Sequence, residues 1–440
     1  MPAPKYSIVL DIVGLEYEHM ASGLLPNIAE IAQTGETAKL EPVFPAVTCT
    51  VQASILSGKY PRDHGIVSNG LYDRDTYSVS FWEQPSSLVR AERAWDVARR
   101  NGAKTAVLFW QNTMYANSDI VVTPRPIHLD DSMVMWCYSK PPGYYEKLKE
   151  KFGEFDLASY WGPLASARSS EWIANAAEYT LEYERPNMLF AYIPHVDYSA
   201  QRFGKDAPQV RDDIKKADGI VGRLVEKASR MGIRDQTEFT IVSEYGFNDV
   251  RGAAPLNLAL RDAGLVSVRS IQGREYLDLE YSKAFAMVDH QVAHVFVKDG
   301  FEQQARKALE AAAGVDRVLD GEGKKKLGID HNRSGELVAI AERDRWFSYY
   351  WWHDESMAPD FARRVDIHRK SGYDPAELFF DPKTKSIPLD PGMVKGSHGR
   401  PADPATGEGL AFYASSRRHG IAKSGVVKCT DIMQGLVGSA

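Results

Sequence analysis

The feature that most constrains this chain is an alternation, over roughly its first 250 residues, of short apolar runs with amphipathic stretches. YSIVLDIVGL, TAVLFW, MLFAYIP and EFTIVSEYG read as buried strands, whereas LLPNIAEIAQTG and ADGIVGRLVEKASRMG carry apolar residues at helical spacing. Such a pattern predicts an α/β fold with a doubly wound, mostly parallel sheet. In these sheets functional residues collect at the carboxyl ends of the strands. Asp11, His195, Asp197, Glu244 and Tyr245 all fall at or near such ends.

Length supports one large domain plus a smaller one: 440 residues, 44% hydrophobic. The alternation fills residues 1–263. From Gly264 to Glu342 the pattern changes to HVFVKD, a helix-like EQQARKALEAAAG, DRVLD and GELVAIAE, which suggests a small inserted α+β subdomain. Residues 343–440, with WFSYYWWHDESMAPDF and a Pro/Gly/Asp-rich tail, read as a loop-rich return to the core. Long charged loops in a compact domain are usually functional. The aromatic run reads either as a substrate-pocket wall or as an interface.

Composition removes several function classes. A net charge of −6 argues against a nucleic-acid polymer as partner and leaves small anionic substrates open. No run approaches the ~18 apolar residues of a membrane helix. The first apolar run is short, lacks a basic leader and is broken by Asp11, so it reads as a strand and not as a signal peptide. Cys49, Cys137 and Cys429 form neither an even framework nor a CxxC pair, which points to a reducing cytoplasm.

Four places join polar residues to strand ends. Asp11 interrupts an apolar strand, where an unpaired carboxylate costs several kcal/mol, so it should meet a cation, a metal or donors. Thr48, in PVFPAVTCTVQASILSGKYPRDHGIVSNG (residues 42–70), falls at or just before a helix N-terminus, as its cap, as a nucleophile whose hydroxyl the orphan amides acidify, or as both. In PHVDYSAQRFG, Asp197 and Gln201 stand at i and i+4 and share a helix face. SEYG (243–246) and KGSHGRP complete the set, His398 lying between glycines that would let a ligand approach.

Together and in this order, these segments resemble the nucleotide pyrophosphatase/phosphodiesterase branch of the alkaline phosphatase superfamily, which includes phosphonoacetate hydrolase. That family's pattern is an early strand Asp, a Thr or Ser nucleophile after F-P, G-I-x-x-N-x-x-Y-D, Asp-x-x-x-His, Asp-His-Gly and a late Gly-x-His-Gly. Here Asp11, Thr48 in FPAVT, Asn69 in GIVSNGLYD and His398 in GSHG match it. The resemblance implies an alkaline phosphatase-like core and a metal-dependent hydrolase of phosphodiester or pyrophosphate bonds in small phosphorylated molecules. Thr48 would attack phosphorus to form a covalent intermediate, and Asn69 would hold a phosphoryl oxygen. Alternatives are a phosphomonoesterase, a phosphonate (C–P) hydrolase, or a non-catalytic phospho-ligand-binding pseudoenzyme.

Two histidines of the pattern are replaced: Gln201 follows Asp197, and Glu244-Tyr245-Gly246 stands where Asp-His-Gly is expected. The implied metal set is therefore Asp11, Thr48, Asp197, Gln201, Glu244, Tyr245 and His398, for one or two ions. Zinc is the family expectation, with Mn²⁺ or Mg²⁺ favoured by the added oxygen donors. Asp289, His290 and His294 in DHQVAH, and Asp366, His368, Lys370 and Asp374 in VDIHRKSGYDP, are spare groups. Asp366 and His368 are candidates to complete the metal site. Lys370 and Arg400 are candidates to pair a second anionic group of the substrate.

Overall fold

The computed structural model describes residues 4–129, 133–422 and 424–438. In chain order, the strands that organise it are β1 (Tyr6–Ile12), β2 (Glu36–Glu41), β3 (Thr105–Leu108), β4 (Ile120–Pro124), β5 (Cys137–Lys140), β6 (Met188–Ile193), β7 (Thr237–Val242), β8 (Ala284–Asp289), β9 (Val292–Val297), β10 (Val315–Leu319), β11 (Leu337–Ala341), β12 (Ala411–Ser415) and β13 (Val426–Lys428). A nine-stranded sheet runs β13-β2-β12-β7-β1-β6-β3-β4-β5. Its centre, β7-β1-β6-β3-β4, is parallel. Every residue of β1, β6 and β7 is buried, as befits strands covered on both faces.

Register places the chemistry. Asp11, near the end of β1, pairs with Tyr192 of β6 and Val242 of β7. The segments leaving β6 and β7 therefore emerge beside Asp11: Pro194–Asp197 on one side, Ser243–Tyr245 on the other. Three helices matter to the site: α1 (Thr48–Ser57), α2 (His195–Phe203) and α3 (Pro208–Arg230). Helix α3 buries Val210, Ile214, Ala217, Val221, Leu224 and Ala228, an i, i+3/i+4 stripe in the main apolar core. Helix α1 is buried at all ten positions, so its polar residues must find partners inside the protein.

Residues 284–341 build a second, antiparallel sheet, β8-β9-β11-β10, with helix α4 (Glu302–Ala311) packed against β10. It has its own apolar core, which also takes in Phe347, Tyr349, Tyr350, Trp351 and Trp352. Those rings are buried, and Trp346 is buried in a smaller cluster beside them. This corrects the reading of WFSYYWW as an exposed interface or a pocket wall: the rings anchor the return segment. Among the described residues no helix is long and apolar enough to cross a membrane.

Candidate active site

Thr48 is the first residue of α1. The residue before it, Val47, is extended and offers no side-chain cap, and the Thr48 hydroxyl lies instead 3.0 Å from the Tyr245 hydroxyl. Of the two sequence readings, capping is thus excluded and the hydroxyl points toward the strand ends. The adjacent amide, Cys49 N–H, donates to Asn69 Oδ1 at 2.9 Å. Asn69 is itself clamped, because its backbone N–H and side-chain amide donate to Asp289 at 2.8 and 3.1 Å. Ser68 Oγ donates to the same carboxylate at 2.7 Å.

Across from Thr48, Tyr245 donates to Asp197 Oδ1 at 3.3 Å, so that Thr48, Tyr245 and Asp197 form a chain of hydrogen bonds. Gln201 donates to Asp197 Oδ2 at 2.6 Å, and Tyr373 donates to Gln201 Oε1 at 2.8 Å. The Tyr245 ring lies flat on His398, with centroids 3.5 Å apart. His398 donates from Nδ1 to the Ala46 carbonyl at 2.8 Å, which leaves Nε2 as the bare nitrogen, 3.7 Å from Asp197.

Asp11 and Glu244 share one donor: Gln52 Nε2, at 3.0 Å from Asp11 Oδ2 and 2.7 Å from Glu244 Oε1. The Gln111 backbone N–H, donating to Gln52 Oε1 at 2.7 Å, fixes which way this amide faces.

Burial governs proton affinity here. It raises Asp11 well above the usual carboxylate range, aided by the Glu244 charge, and raises Glu244 as well. Asp197 is pushed up to about 7 by burial and then by Glu244. Asp289 rises to about 6 from burial, against its three hydrogen bonds. Burial lowers His398 to about 3, a neutral imidazole, and holds the Tyr245 phenol far above its ordinary value, a neutral donor.

The implied metal ligands therefore assemble only in part. Asp11, Thr48, Asp197, Gln201, Glu244, Tyr245 and His398 converge, but hydrogen-bond donors stand between the carboxylates. Among the described residues no group of three or more His, Cys, Asp or Glu side chains could hold a metal ion. This donor set does not fit a resident pair of ions, whichever of zinc, manganese or magnesium is considered.

Four candidates lie outside the cluster. Asp366 accepts from the backbone and side chain of Arg369, and His368 is exposed, so neither completes a metal site. Lys370 is buried between Asp374 and Glu377, at 2.7 Å from each, and cannot also pair a substrate anion. Arg400 is held by Asp316 at 3.1 Å, by Glu408 at 3.5 Å and by the Ala341 carbonyl. Of the spare groups, His294 spends both ring nitrogens on Val67 O and Gly335 N, whereas His290 stacks on Tyr373 with centroids 3.9 Å apart.

The glycines around His398 serve packing and not ligand approach. A Cβ on Gly396 would fall 2.3 Å from the Ala200 carbonyl, and Gly399 has φ +114°.

Sequence reasoning passed over Gln52 and Tyr373 as parts of the site and named Asp289 only as a spare group. Gln52 stands at i+4 from Thr48, the same spacing that singled out Asp197 and Gln201.

Residues 7–374 match the family model for type I phosphodiesterase / nucleotide pyrophosphatase. An uncharacterized pyrophosphatase/phosphodiesterase of Schizosaccharomyces pombe is 27% identical over 54% of this chain and 44% of its own length. Ectonucleotide pyrophosphatase/phosphodiesterase family member 1 of Homo sapiens is 25% identical over 55% of this chain and 23% of its own. The chain thus spans less than half of these curated relatives.

Two solved structures share the fold. Phosphonoacetate hydrolase from Sinorhizobium meliloti, in complex with phosphonoformate, gives a TM-score of 0.64 at 17% identity, over 100% of this chain and 97% of that one. Human ectonucleotide pyrophosphatase/phosphodiesterase 5 gives 0.63 at 14%, over 98% and 95%.

Proposed function

We propose that this chain, a member of the type I phosphodiesterase / nucleotide pyrophosphatase family, hydrolyses a phosphodiester or pyrophosphate bond of a small phosphorylated substrate, with Thr48 as nucleophile. The observation that carries the reading is the Thr48 hydroxyl at the first turn of α1, hydrogen-bonded to Tyr245 and through it to Asp197. This has the nucleophile, acceptor and orienting group of covalent catalysis.

The Thr48 oxygen attacks phosphorus while its proton passes to the Tyr245 oxygen and the Tyr245 proton passes to Asp197. The bond to the leaving group breaks, and water then hydrolyses the Thr48 phosphoester. Gln201 holds Asp197 in place, and Tyr373 holds Gln201. Asn69, whose Nδ2 keeps a second hydrogen beyond its bond to Asp289, would hold a phosphoryl oxygen as charge grows on it. Metal dependence, which the resemblance implies, has no step here because the donor set does not fit it.

A second reading, a protein that binds a phosphorylated ligand without cleaving it, is favoured by the tight closure of the site, where Thr48 and Asn69 are each only 4% exposed. One experiment separates the two. Bis(p-nitrophenyl) phosphate, p-nitrophenyl phosphate and phosphonoacetate are each incubated with the protein, with release of nitrophenol or phosphate followed and intact mass recorded after an acid quench. Turnover of the diester with a phosphoryl adduct on Thr48 is expected. Turnover confined to the monoester or the phosphonate redirects the substrate class, and silence with all three, alongside ligand-induced stabilisation, favours the binding protein. Three buried free thiols accord with a reducing, cytoplasmic setting.

A further inference from the structure

Three side chains in this site present hydrogens where a cation site requires lone pairs. The Gln52 amide nitrogen bridges Asp11 and Glu244, and its orientation is set by the Gln111 backbone. An amide NH₂ has two donors and no lone pair to give a metal. Gln201 also turns its NH₂ toward Asp197, because its oxygen is taken by Tyr373. Tyr245 spans the space between Thr48 and Asp197 as a neutral phenol. We infer that Gln52, Gln201 and Tyr245 stand in for resident cations, holding Asp11, Glu244 and Asp197 by neutral hydrogen bonds so that the site assembles without bound metal.

The geometry leaves little for an ion to bind. Among the described polar atoms here, those without a hydrogen-bond partner include Asp11 Oδ1, Glu244 Oε2, His398 Nε2 and the Nδ1 of His290, whose ring lies 3.7 Å from that of His398. Asp11 and Glu244 meet through Gln52, whose Nε2 donates to the other oxygen of each. His398 Nε2 belongs to the opposite half, beside Asp197 and covered on one face by the Tyr245 ring. Each half thus keeps two such unpartnered atoms, fewer than the four ligands of zinc or the about six of Mg²⁺.

The inference concerns the same pocket as the proposed hydrolysis but does not depend on it, since a binding protein would show the same indifference to metal. The test is equilibrium dialysis of the full chain against Zn²⁺, Mn²⁺ and Mg²⁺ separately, with metal content read by mass spectrometry. Thermal melting is recorded in parallel with each ion and with a chelator. The expected result is no stoichiometric uptake and a melting temperature that neither chelator nor ion moves. Retention of one or two equivalents of any of these ions, with a melting temperature lowered by chelator, overturns the inference.

A gain-of-binding variant sharpens the assignment. Gln201→His together with Tyr245→His removes two of the three donors and should take up zinc with a raised melting temperature. Should it stay as indifferent to zinc as the wild type, these side chains are not what excludes the ion, and the inference fails. If this variant does not fold, the wild-type dialysis decides alone.

Discussion

Two buried carboxylate clusters lie in this protein, and they are settled by opposite means. Around Lys370, an ammonium sits 2.7 Å from Asp374 and from Glu377 and also donates to the Arg364 carbonyl at 3.0 Å. Around Thr48, Asp11, Glu244 and Asp197 meet only amides and a phenol. Burial is nearly complete in both, so the difference is in charge. At Glu377 burial raises proton affinity while Lys370 pulls it back, whereas no cation opposes burial at Asp11, Glu244 and Asp197. A group poised to take a proton near neutrality is what acid–base chemistry needs, and Asp197, pushed up to about 7, is one.

Breaking the comparison at the reactive end should produce the largest effect. Thr48→Ala is expected to lower kcat for the cleaved diester by at least ~10³-fold, about 4 kcal/mol, with folding intact by circular dichroism. Activity within about tenfold of wild type would remove Thr48 from the mechanism. At the structural end, Lys370→Met strands two buried carboxylates. Urea unfolding should show a loss of about 3–5 kcal/mol, as when one partner of a buried ion pair is removed. A loss below about 1 kcal/mol would mean that the Lys370 cluster resembles the Thr48 cluster and that charge is not what separates them.

The contrast also explains what the sequence could convey. The strand ends carrying Asp11, Asp197 and Glu244 were legible because buried parallel strands write continuous apolar runs that stop where the chemistry starts. Thr48 was singled out by its place at the start of a helix, and Asn69 only by the family resemblance. Gln52 was not, since a lone polar residue in an apolar helix gives no sign of what it meets, and its partners Asp11, Gln111 and Glu244 are distant in sequence. Lys370 and Arg400 were misread for the same reason: a cation near a motif looks free until its partners are known. For Lys370 one partner, Asp374, stood four residues on and could have been weighed.

A smaller effect tests proton affinity directly. Asp197 goes from 3.8 to about 7 on folding, so the native state holds more protons than the unfolded chain between those values. Its contribution to stability is therefore present below pH 4 or so and is lost as pH rises through about 7. Buried His398, lowered from 6.5 to about 3, acts in the opposite sense, losing its contribution as pH falls below 6.5. Only the difference between wild type and Asp197→Asn isolates the carboxylate. Across that window wild type should lose stability with rising pH relative to the variant, while hydrolysis by wild type should rise through pH 7 as Asp197 becomes a proton acceptor. Parallel stability curves for the two proteins would mean that Asp197 titrates as an ordinary carboxylate.

The smallest effect is expected at Arg400, where the sequence reading and the structure part most sharply. A guanidinium that paired a substrate anion would cost substrate binding heavily on removal, because charge-assisted contacts to phosphate are among the strong ones. Here the guanidinium is engaged by Asp316, Glu408 and the Ala341 carbonyl, and so ties the return segment to the strands of the second sheet. Its partners are 36% and 20% exposed, which puts these pairs nearer the surface regime of about 0–1 kcal/mol than the buried one. Arg400→Gln should accordingly leave KM and kcat within about twofold and cost less than about 1 kcal/mol in urea unfolding. A tenfold rise in KM at unchanged stability would instead mean that Arg400 leaves these partners to meet the substrate. The cluster around Thr48, which holds no cationic side chain, would then recruit its cation only when the ligand arrives.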